Sequence, residues 1–506
     1  MVMRVTSQTQ QRNALNNIFR ITEEMFNAQK DIATGKKIHK PSDDPAGIRD
    51  TLALRTSIRK IKQFDRNINS NRILLSRGET ALESIGISLS RAKEISIVEL
   101  GSISSSETRK YAKAELEGII STVLQAANTK IKNMYVFSGT DIKIAPFEMS
   151  ASGAVYKGNS DKLTIQVEEN INAKITIPGS EVLGTDLNSD LNTSTKVSQL
   201  NGGSGISEGT FSITDRSGST NNISINSSMT VGGVITAINS SSSNITASIN
   251  SAGNGITVID NSSVIKQSLT ISEVSGGTTA ESLGIIGKKD GNIEGIDLNA
   301  GLSRETLISE LNGGNGLTLG DVGIVNGAAS GTISLSSATT IGQVIDLINN
   351  SGKNVTASID GAGNALQVIS NNSSTVAVVN NIGTDMTAEE LGIGGGRNVI
   401  NTLVKLKQAM QKDDTLGILA SLSNLDSGLE NVNASRAIYG AVSRGLNSTE
   451  LAHQADVVNQ NEQLSNIEDA DLVEAASQFA AMEAALQASL SSTARIIQPS
   501  LLDFLR

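Results

Sequence analysis

Two neighbouring aspartates, Asp43 and Asp44, have the residue type and spacing that acid–base chemistry uses. Paired carboxylates can act as general acid and general base when their environments separate their pKa values. They lie in the turn KKIHKPSDDPAG, where Asp44 directly precedes Pro45. An aspartate before a proline is typical of a helix start, because the carboxylate caps free amides and proline needs no donor in the first turn. We predict that Asp44 caps a helix and that the pair is not catalytic.

Histidine and cysteine supply little further chemistry. The chain has two histidines, His39 and His453, and no cysteine, which excludes disulfides and thiolate metal sites. Neither histidine has a candidate ligand or nucleophile nearby in sequence, so we expect both to be surface or packing residues. The sequence therefore predicts a protein that is not an enzyme and that has no cofactor and no metal site.

Two glycine-containing stretches imitate ligand loops. The stretch GIGGGR at 392–397 lacks the long preceding strand of a dinucleotide site. The stretch DGNIEG at 290–295 begins like a calcium loop, but Gly301 stands at the twelfth position, where a bidentate acid is required. Turn formation explains both stretches better than ligand binding.

The carboxyl-terminal region must form a helix that its own chain cannot cover. No glycine or proline occurs from Leu446 to Gln498. An apolar seam recurs there in steps of three and four, which predicts a coiled-coil contact: Leu472, Ala475, Phe479, Met482, Leu486, Ser489, Thr493 and Ile496. The opposite face is also apolar, so a helix there needs cover on every side. A membrane span is disfavoured by the many Ser, Thr and Gln residues, and an ordinary core helix by the length, so neighbouring copies or partner subunits fit best.

The amino-terminal region repeats this pattern. A second seam comprises Leu15, Ile18, Thr22, Met25, Gln29 and Ile32, with Phe19 and Phe26 beside it. The period ends at Gly35. The first residues, MVMRVTSQTQQRNALNNIF, lack the continuous apolar core of a cleavable signal peptide, so secretion by that route is not expected.

The rest of the chain changes from helical to strand patterns. Residues 45–133 predict long antiparallel helices, interrupted by the loop GSISSSET and by the glycines Gly78, Gly86, Gly101 and Gly118. Short strands are predicted from YVFSGT at 135–140 onward. From about residue 185 a repeat appears: TVGGVITAIN at 230–239 recurs as TIGQVIDLIN at 340–349, and ITASINSAGNGITVI at 245–259 as VTASIDGAGNALQVI at 355–369. Two tandem α+β modules follow, each with two strands, a short helix and a hairpin.

Charge is distributed unevenly along the chain. The formal net charge is −10, yet the first 150 residues carry an excess of basic side chains and the remainder an excess of acidic ones. Opposite signs at the two ends favour their pairing. The basic residues alternate with acidic ones and have no accompanying aromatic motif, so nucleic acid is not an expected partner.

Several motifs together resemble a known family. They are TGKKIHKPSDDPAG at 34–47, QFDRNINSNRILLSRGETAL at 63–82, YVFSGT at 135–140, and IEDADLVEAA with ALQASLSSTARIIQPSLLDFL at the carboxyl end. The chain is similar to the hook-filament junction proteins (hook-associated protein 3) of the flagellin superfamily over roughly residues 1–180 and 398–506. The repeated modules resemble an insert found in several flagellar axial proteins.

The resemblance implies a mainly α fold with an α+β insert: long terminal coiled-coil helices, a helical rod domain, a short-strand β region and two tandem small α+β modules. The implied domains are a terminal coiled-coil domain (1–44 and 464–506), a rod domain with the β region (45–184 and 397–463), and modules at 185–290 and 291–396. The subunit-packing seam would comprise Leu15, Ile18, Met25, Ile32, Leu472, Phe479, Met482, Leu486 and Ile496.

The resemblance further implies an extracellular structural adaptor between the flagellar hook and the flagellin filament, exported by the flagellar type III pathway. Its terminal helices would be poorly ordered in the monomer and would fold as they assemble. Expected partners are further copies in a ring or helical layer, the hook-side junction protein, flagellin, and an export chaperone on the carboxyl-terminal helix, without membrane insertion. The alternatives are flagellin itself, or a surface protein whose modules act on carbohydrate or matrix.

Overall fold

A computed structural model describes residues 7–150, 153–187, 189–361 and 363–497. Helices dominate both ends of the chain. They are α1 (Ser7–Thr34), α2 (Pro45–Glu99), α3 (Ser106–Ala127), α4 (Gly179–Val182), α5 (Val231–Ser241), α6 (Thr279–Ser282), α7 (Ile341–Asn349), α8 (Thr387–Glu390), α9 (Val399–Gln411), α10 (Thr415–Glu468) and α11 (Leu472–Ile497).

Short antiparallel strands occupy the middle of the chain. The β region holds β1 (Lys130–Ile131), β2 (Met134–Tyr135), β3 (Phe147–Ser150), β4 (Gly153–Tyr156), β5 (Thr164–Glu168) and β6 (Ile171–Lys174). The first module, residues 191–294, holds β7 (Gly209–Thr214), β8 (Thr220–Ile225), β9 (Ile245–Ile249), β10 (Ile256–Asp260), β11 (Leu269–Glu273), β12 (Gly287–Lys289) and β13 (Ile293–Glu294). The second module, residues 302–393, holds β14 (Asp321–Val325), β15 (Gly331–Ser334), β16 (Val355–Ile359), β17 (Leu366–Ser370) and β18 (Val378–Asn381). The predicted fold class, mainly α with an α+β insert, is confirmed.

The chain divides into two compact units. The first unit comprises residues 1–69, 166–171 and 446–506, and the second comprises 70–165 and 172–445. Both divisions between the largest segments fall within helices, α2 and α10. The predicted domain boundaries at 44/45 and 463/464 instead lie near the ends of these helices, and they stay a prediction.

Glycine does not interrupt the helices of the second unit where the sequence suggested. Helix α2 continues through Gly78 and Gly86, and α3 through Gly118; of the four glycines, only Gly101 lies in the predicted loop. At Gly78, the lack of a side chain is explained by packing against Tyr439. A Cβ there would lie 2.7 Å from the ring of Tyr439. The Tyr439 ring is buried and its hydroxyl accepts a hydrogen bond from the Ile177 amide at 3.2 Å, so the missing side chain makes room for an aromatic anchor.

The carboxyl-terminal region is two helices, not one. Helix α10 ends at Glu468 and α11 begins at Leu472. Asp471 caps the second helix, because its Oδ1 accepts hydrogen bonds from the amides of Val473 at 2.8 Å and Glu474 at 3.2 Å. Backbone pairing of Lys36 with Asp469 occupies the break. The lack of glycine and proline therefore did not guarantee continuity, since aspartate can start a new helix.

Each module contains the predicted strand pair, short helix and hairpin. In the first module, sheets of order β12-β11-β7-β8 and β13-β10-β9 enclose an apolar core with α5. In the second module, sheets of order β15-β14-β18 and β16-β17 enclose an equivalent core with α7. Thr230 and Thr340 cap the equivalent helices by accepting amide hydrogen bonds at 3.2 Å. The repeat in sequence is therefore a repeat in structure.

The two modules exchange connecting segments. Leu187 precedes the first module but belongs to the core of the second, and Leu298 precedes the second module but belongs to the core of the first. The Leu187 amide donates to the Asn364 carbonyl and the Leu187 carbonyl accepts from the Asn312 amide, both at 2.8 Å. Equivalent backbone bonds join Leu298 to Asn254 at 2.8 Å and to Asn201 at 2.6 Å. The two segments meet where Ser189 pairs with Ala300, 111 residues along the chain. The modules are thus interlocked, an arrangement we did not predict, although DLN at 186–188 recurs at 297–299.

Candidate functional site on the terminal helices

Helices α1 and α11 pack against each other in the first unit. On α11 six positions of the predicted seam are buried or half-buried: Ala475, Phe479, Met482, Leu486, Ser489 and Thr493. On α1 the apolar side chains that are buried or half-buried are Ala14, Ile18, Ile21, Met25 and Ala28. Both series step by three and four residues, the spacing at which side chains of paired helices interdigitate. The two ends of one chain therefore partly cover each other.

A second apolar face of α1 has no cover in the described structure. It comprises Leu15, Phe19, Thr22 and Phe26, which we call the α1 stripe. Leu15 is 47% exposed, Phe19 70% and Phe26 63%. Exposed aromatic side chains aligned at helical spacing are uncommon on a soluble chain, and such patches mark interaction surfaces. The stripe is therefore the strongest candidate for a surface that another chain covers.

The structure places the predicted seam residues in two environments. Ile18, Met25, Phe479, Met482 and Leu486 lie partly covered between the two helices. Leu15, Ile32 and Leu472 remain exposed, at 47%, 38% and 53%. Ile496 lies outside the residues whose side chains the structure describes. Whether these residues pack against other subunits stays a prediction, since one chain alone is present.

An ion cluster fixes the connection between α10 and α11. The Glu468 carboxylate lies within 2.8 Å of the Arg55 guanidinium and also accepts a hydrogen bond from Lys36. Burial tends to raise the pKa of Glu468, but the hydrogen bonds and charges of Lys36 and Arg55 outweigh it, so the pKa is lowered. Backbone bonds from Lys37 to Glu468 at 2.8 Å and from Ala470 to Gly35 at 3.0 Å complete the junction. Sequence reasoning missed this cluster, because its members lie more than 400 residues apart.

The turn after α1 is structural. Asp44 Oδ1 accepts hydrogen bonds from the amides of Ala46 at 3.1 Å and Gly47 at 2.9 Å, which confirms the predicted cap. Asp43 instead binds the amides of His39 and Lys40, both at 3.1 Å. The two carboxylates thus hold backbone rather than facing each other over a cleft, and they do not form an acid–base pair.

Each of the two histidines contacts one carboxylate, and the two carboxylates are different. The His39 ring lies 2.7 Å from Asp31, and the His453 ring lies 2.7 Å from Asp65 and 6.2 Å from the centre of the Phe64 ring. Within residues 7–150, 153–187, 189–361 and 363–497, no group of three or more acidic, histidine or cysteine side chains is arranged to hold a metal. Over the same residues, no helix combines the length and apolarity needed to cross a bilayer.

Two known family models match the two ends of the chain, which contain the terminal helices. Residues 5–141 match the bacterial flagellin N-terminal helical region, and residues 422–505 match the bacterial flagellin C-terminal helical region. The matched ranges contain α1 and α11, and hence the α1 stripe and the seam. The chain is therefore flagellin-like at both ends.

Two curated relatives are flagellar hook-associated protein 3 of Salmonella typhimurium, 23% identical over 186 residues, and its namesake from Escherichia coli K12, 23% identical over 183 residues. Each alignment covers 36% of this chain, and 57% and 56% of the respective relative, so the chain spans little more than half the length of either. Among solved structures, hook-associated protein 3 from Legionella pneumophila is 17% identical, with a TM-score of 0.36, and the alignment covers 82% of this chain and 98% of that one. FliC from Burkholderia pseudomallei is 15% identical, with a TM-score of 0.25, covering 74% and 99%.

Proposed function

We propose that this chain is a structural subunit of the bacterial flagellum, an adaptor at the junction between hook and filament. The observation that carries the proposal is the α1 stripe, an uncovered apolar face on a helix that matches the flagellin N-terminal region. The motifs SDDP, YVFSGT and SLLDFL support the junction role within that superfamily, as do the names of the curated relatives.

The proposed mechanism is burial of the terminal helices by neighbouring copies. Each Leu or Phe side chain of the stripe gains about 1.5–3 kcal/mol when fully buried. In the proposed mechanism the ends fold as they associate. Ordering a residue of the backbone costs roughly 1–2 kcal/mol, so the buried side chains offset this cost only when neighbouring subunits contribute area on several sides. Association of α1 and α11 with other subunits is therefore favourable when those subunits supply area on the exposed faces.

The proposed partners follow from a position at the junction between hook and filament. They are further copies in a ring or helical layer, the hook-side junction protein on one side and flagellin on the other, with an export chaperone covering the carboxyl-terminal helix before assembly. Export through the flagellar type III pathway to an extracellular site is part of the same proposal. A structural role of this kind needs no catalytic group.

Flagellin itself is the second candidate, because the matched regions at both ends are those of flagellins. Such a subunit would occupy the whole filament instead of a thin zone. The repeated modules would then form part of the filament surface.

Immunogold electron microscopy of flagellated cells distinguishes these roles, using antibody raised against residues 191–393. The adaptor predicts label confined to a thin zone between hook and filament. Label along the full filament would favour flagellin, and label on the cell body without flagellar structures would contradict both. A strain lacking the coding sequence provides the control for antibody specificity.

A further inference from the structure

One edge of strand β17 in the second module is open. Its other edge pairs with β16, and the hydrogen bonds from Asn371 to Asn354 and from Asp360 to Ala365, both 2.8 Å, flank that pairing. In an antiparallel pair, alternate residues bond to the partner. The amides and carbonyls of Leu366, Val368 and Ser370 therefore point away from β16, and no strand of the described residues pairs with them.

The first module shows what can cover this edge. Its equivalent strand, β10, pairs on that side with β13, where Thr257 lies opposite Glu294 and Val258 opposite Ile293. The Gly295 amide continues the ladder by donating to the Ile256 carbonyl at 3.0 Å. Ile293 is buried, whereas Glu294 stays exposed. An extended segment with an apolar residue followed by an acidic one thus completes the sheet of the first module.

Among the described residues, no strand takes the corresponding place in the second module. After LGI at 283–285 the chain forms β12 and β13, but after LGI at 391–393 it turns into α9. A cavity of about 380 Å³ remains between β17 and α9. The α9 side of the cavity is a polar ridge at three- and four-residue spacing, beginning just before the helix and ending just after it: Asn398, Asn401, Lys405, Gln408 and Lys412.

The ridge carries a positive charge without an anionic partner. Lys405 Nζ has one weak contact, 3.4 Å to the Ile393 carbonyl, and forms no ion pair within the described residues. Burial lowers the pKa of Lys405 to about 8. Lys412 Nζ donates to the Thr375 carbonyl at 2.7 Å. A partly buried ammonium that lines the same cavity as an open strand edge favours an occupant with a carboxylate and an extended backbone.

We propose that the groove between the β17 edge and α9 binds an extended acidic segment of a partner protein by strand addition. Backbone hydrogen bonds to Leu366, Val368 and Ser370 supply the affinity, and a glutamate or aspartate of the segment pairs with Lys405. Such edges are otherwise covered or blocked in native proteins, because they attract strands. The groove belongs to the second compact unit and the terminal helices to the first, so its binding goes beyond assembly and is tested separately.

The probe is a fluorescent synthetic peptide with the sequence of residues 290–297, DGNIEGID, titrated with the full chain and followed by anisotropy. We expect saturable binding, with slowed hydrogen exchange at the amides of Leu366, Val368 and Ser370. Lys405→Met should weaken binding by about fivefold or more, the value of one ion pair of about 1 kcal/mol. Lys407→Met is the matched control, since Lys407 lies on the same helix but pairs with Glu117 at 3.8 Å. A peptide with Glu294→Gln should lose affinity for the wild-type chain.

A second readout does not depend on a folded variant. An amine with a pKa near 8 acetylates faster than ordinary lysines at that pH, and bound peptide should protect Lys405 selectively. The proposal is overturned if binding does not saturate, if Lys405→Met binds as well as wild type, or if protection maps to β10 instead of β17. It is equally overturned if the β17 amides become protected on concentrating the chain alone as it dimerises, because the occupant is then a second copy.

Discussion

At Gly78, the absence of a side chain allows two helical segments to approach. A Cβ would lie 2.7 Å from the Tyr439 ring, whereas nothing lies within 4 Å of a Cβ built at Gly118. Both glycines lie within helices, so propensity alone predicts that alanine stabilises both, by about 0.5–1 kcal/mol. In the structure, a side chain has room at Gly118 but not at Gly78. The sequence could not predict this difference, because the obstacle at Gly78 is Tyr439, a residue far along the chain.

Gly78→Ala should lower the free energy of unfolding by about 1–3 kcal/mol, since the new methyl group displaces the Tyr439 ring. Gly118→Ala should instead raise it by up to about 1 kcal/mol. Urea unfolding followed by circular dichroism measures both. Equal effects of the two substitutions would contradict the packing at Tyr439.

Asp297 makes the free energy of unfolding depend on pH between its ordinary pKa of 3.8 and its raised pKa of about 7. Burial raises its pKa to about 7, and repulsion from Asp161, Asp186 and Asp141 adds to the effect, against the opposing hydrogen bond from the Asn299 amide at 2.7 Å. The folded state therefore retains a proton that the unfolded state loses near its ordinary value of 3.8. The associated stability is present below that value and is lost as pH rises to about 7.

Asp297→Asn should remove most of this dependence and raise the free energy of unfolding at pH 8 by about 1–3 kcal/mol. Urea midpoints measured from pH 4.5 to 8 check it. A wild-type midpoint that stays constant across that range, or an asparagine variant that follows the same curve as wild type, would show that Asp297 is ionised in the folded protein.

At the scale of elements, the apolar periodicities predicted α1, the seam of α11 and the short module helices. They did not predict the break at 469–471, because the signal there is a cap at Asp471 and a backbone pairing with Lys36. Nor did they predict that Leu187 and Leu298 exchange modules, since repeat analysis identifies equivalent segments but not which copy each segment joins. The α1 stripe was partly anticipated, as Phe19 and Phe26 were placed beside the predicted seam.

The ion cluster at Glu468 should stabilise the α10–α11 junction. Glu468→Gln removes the charge that Lys36 and Arg55 share, at a cost of about 1–2 kcal/mol, whereas Glu24→Gln, in an exposed pair with Arg20, should cost no more than about 0.5 kcal/mol. Hydrogen exchange at the Lys37 and Ala470 amides reports the junction. Because the pKa of Glu468 is lowered, its contribution is present above its ordinary value of 4.5 and is lost as pH falls below it. Unchanged exchange in Glu468→Gln would show that the cluster has no structural role.

The interlocked modules should unfold as one. Leu298→Ala removes a buried side chain from the core of the first module and should cost about 2–5 kcal/mol, with faster hydrogen exchange in both modules. Leu307→Ala, at a position 42% exposed, is the control and should change little. Faster exchange confined to either module alone would contradict unfolding of the two modules as one.

At the scale of the whole molecule, the chain combines ends that match flagellin regions with a self-contained, interlocked middle. The middle has its own apolar cores, each closed by a segment that precedes the other module. The ends cover each other only in part, and the α1 stripe remains exposed. We propose that a chain with this distribution of apolar surface assembles through its ends while its modules stay folded.

Cysteine labelling of Thr22→Cys measures the fate of the α1 stripe most directly, since the natural chain has no cysteine. Thr22 is exposed between Phe19 and Phe26, so maleimide should label the free purified variant rapidly. In flagella isolated from cells that swim with this variant, we predict labelling slowed at least tenfold, whereas Ser227→Cys, exposed in the first module, should label at the same rate in both states. Equal labelling of Thr22→Cys in free and assembled protein would contradict burial of the stripe by neighbouring subunits.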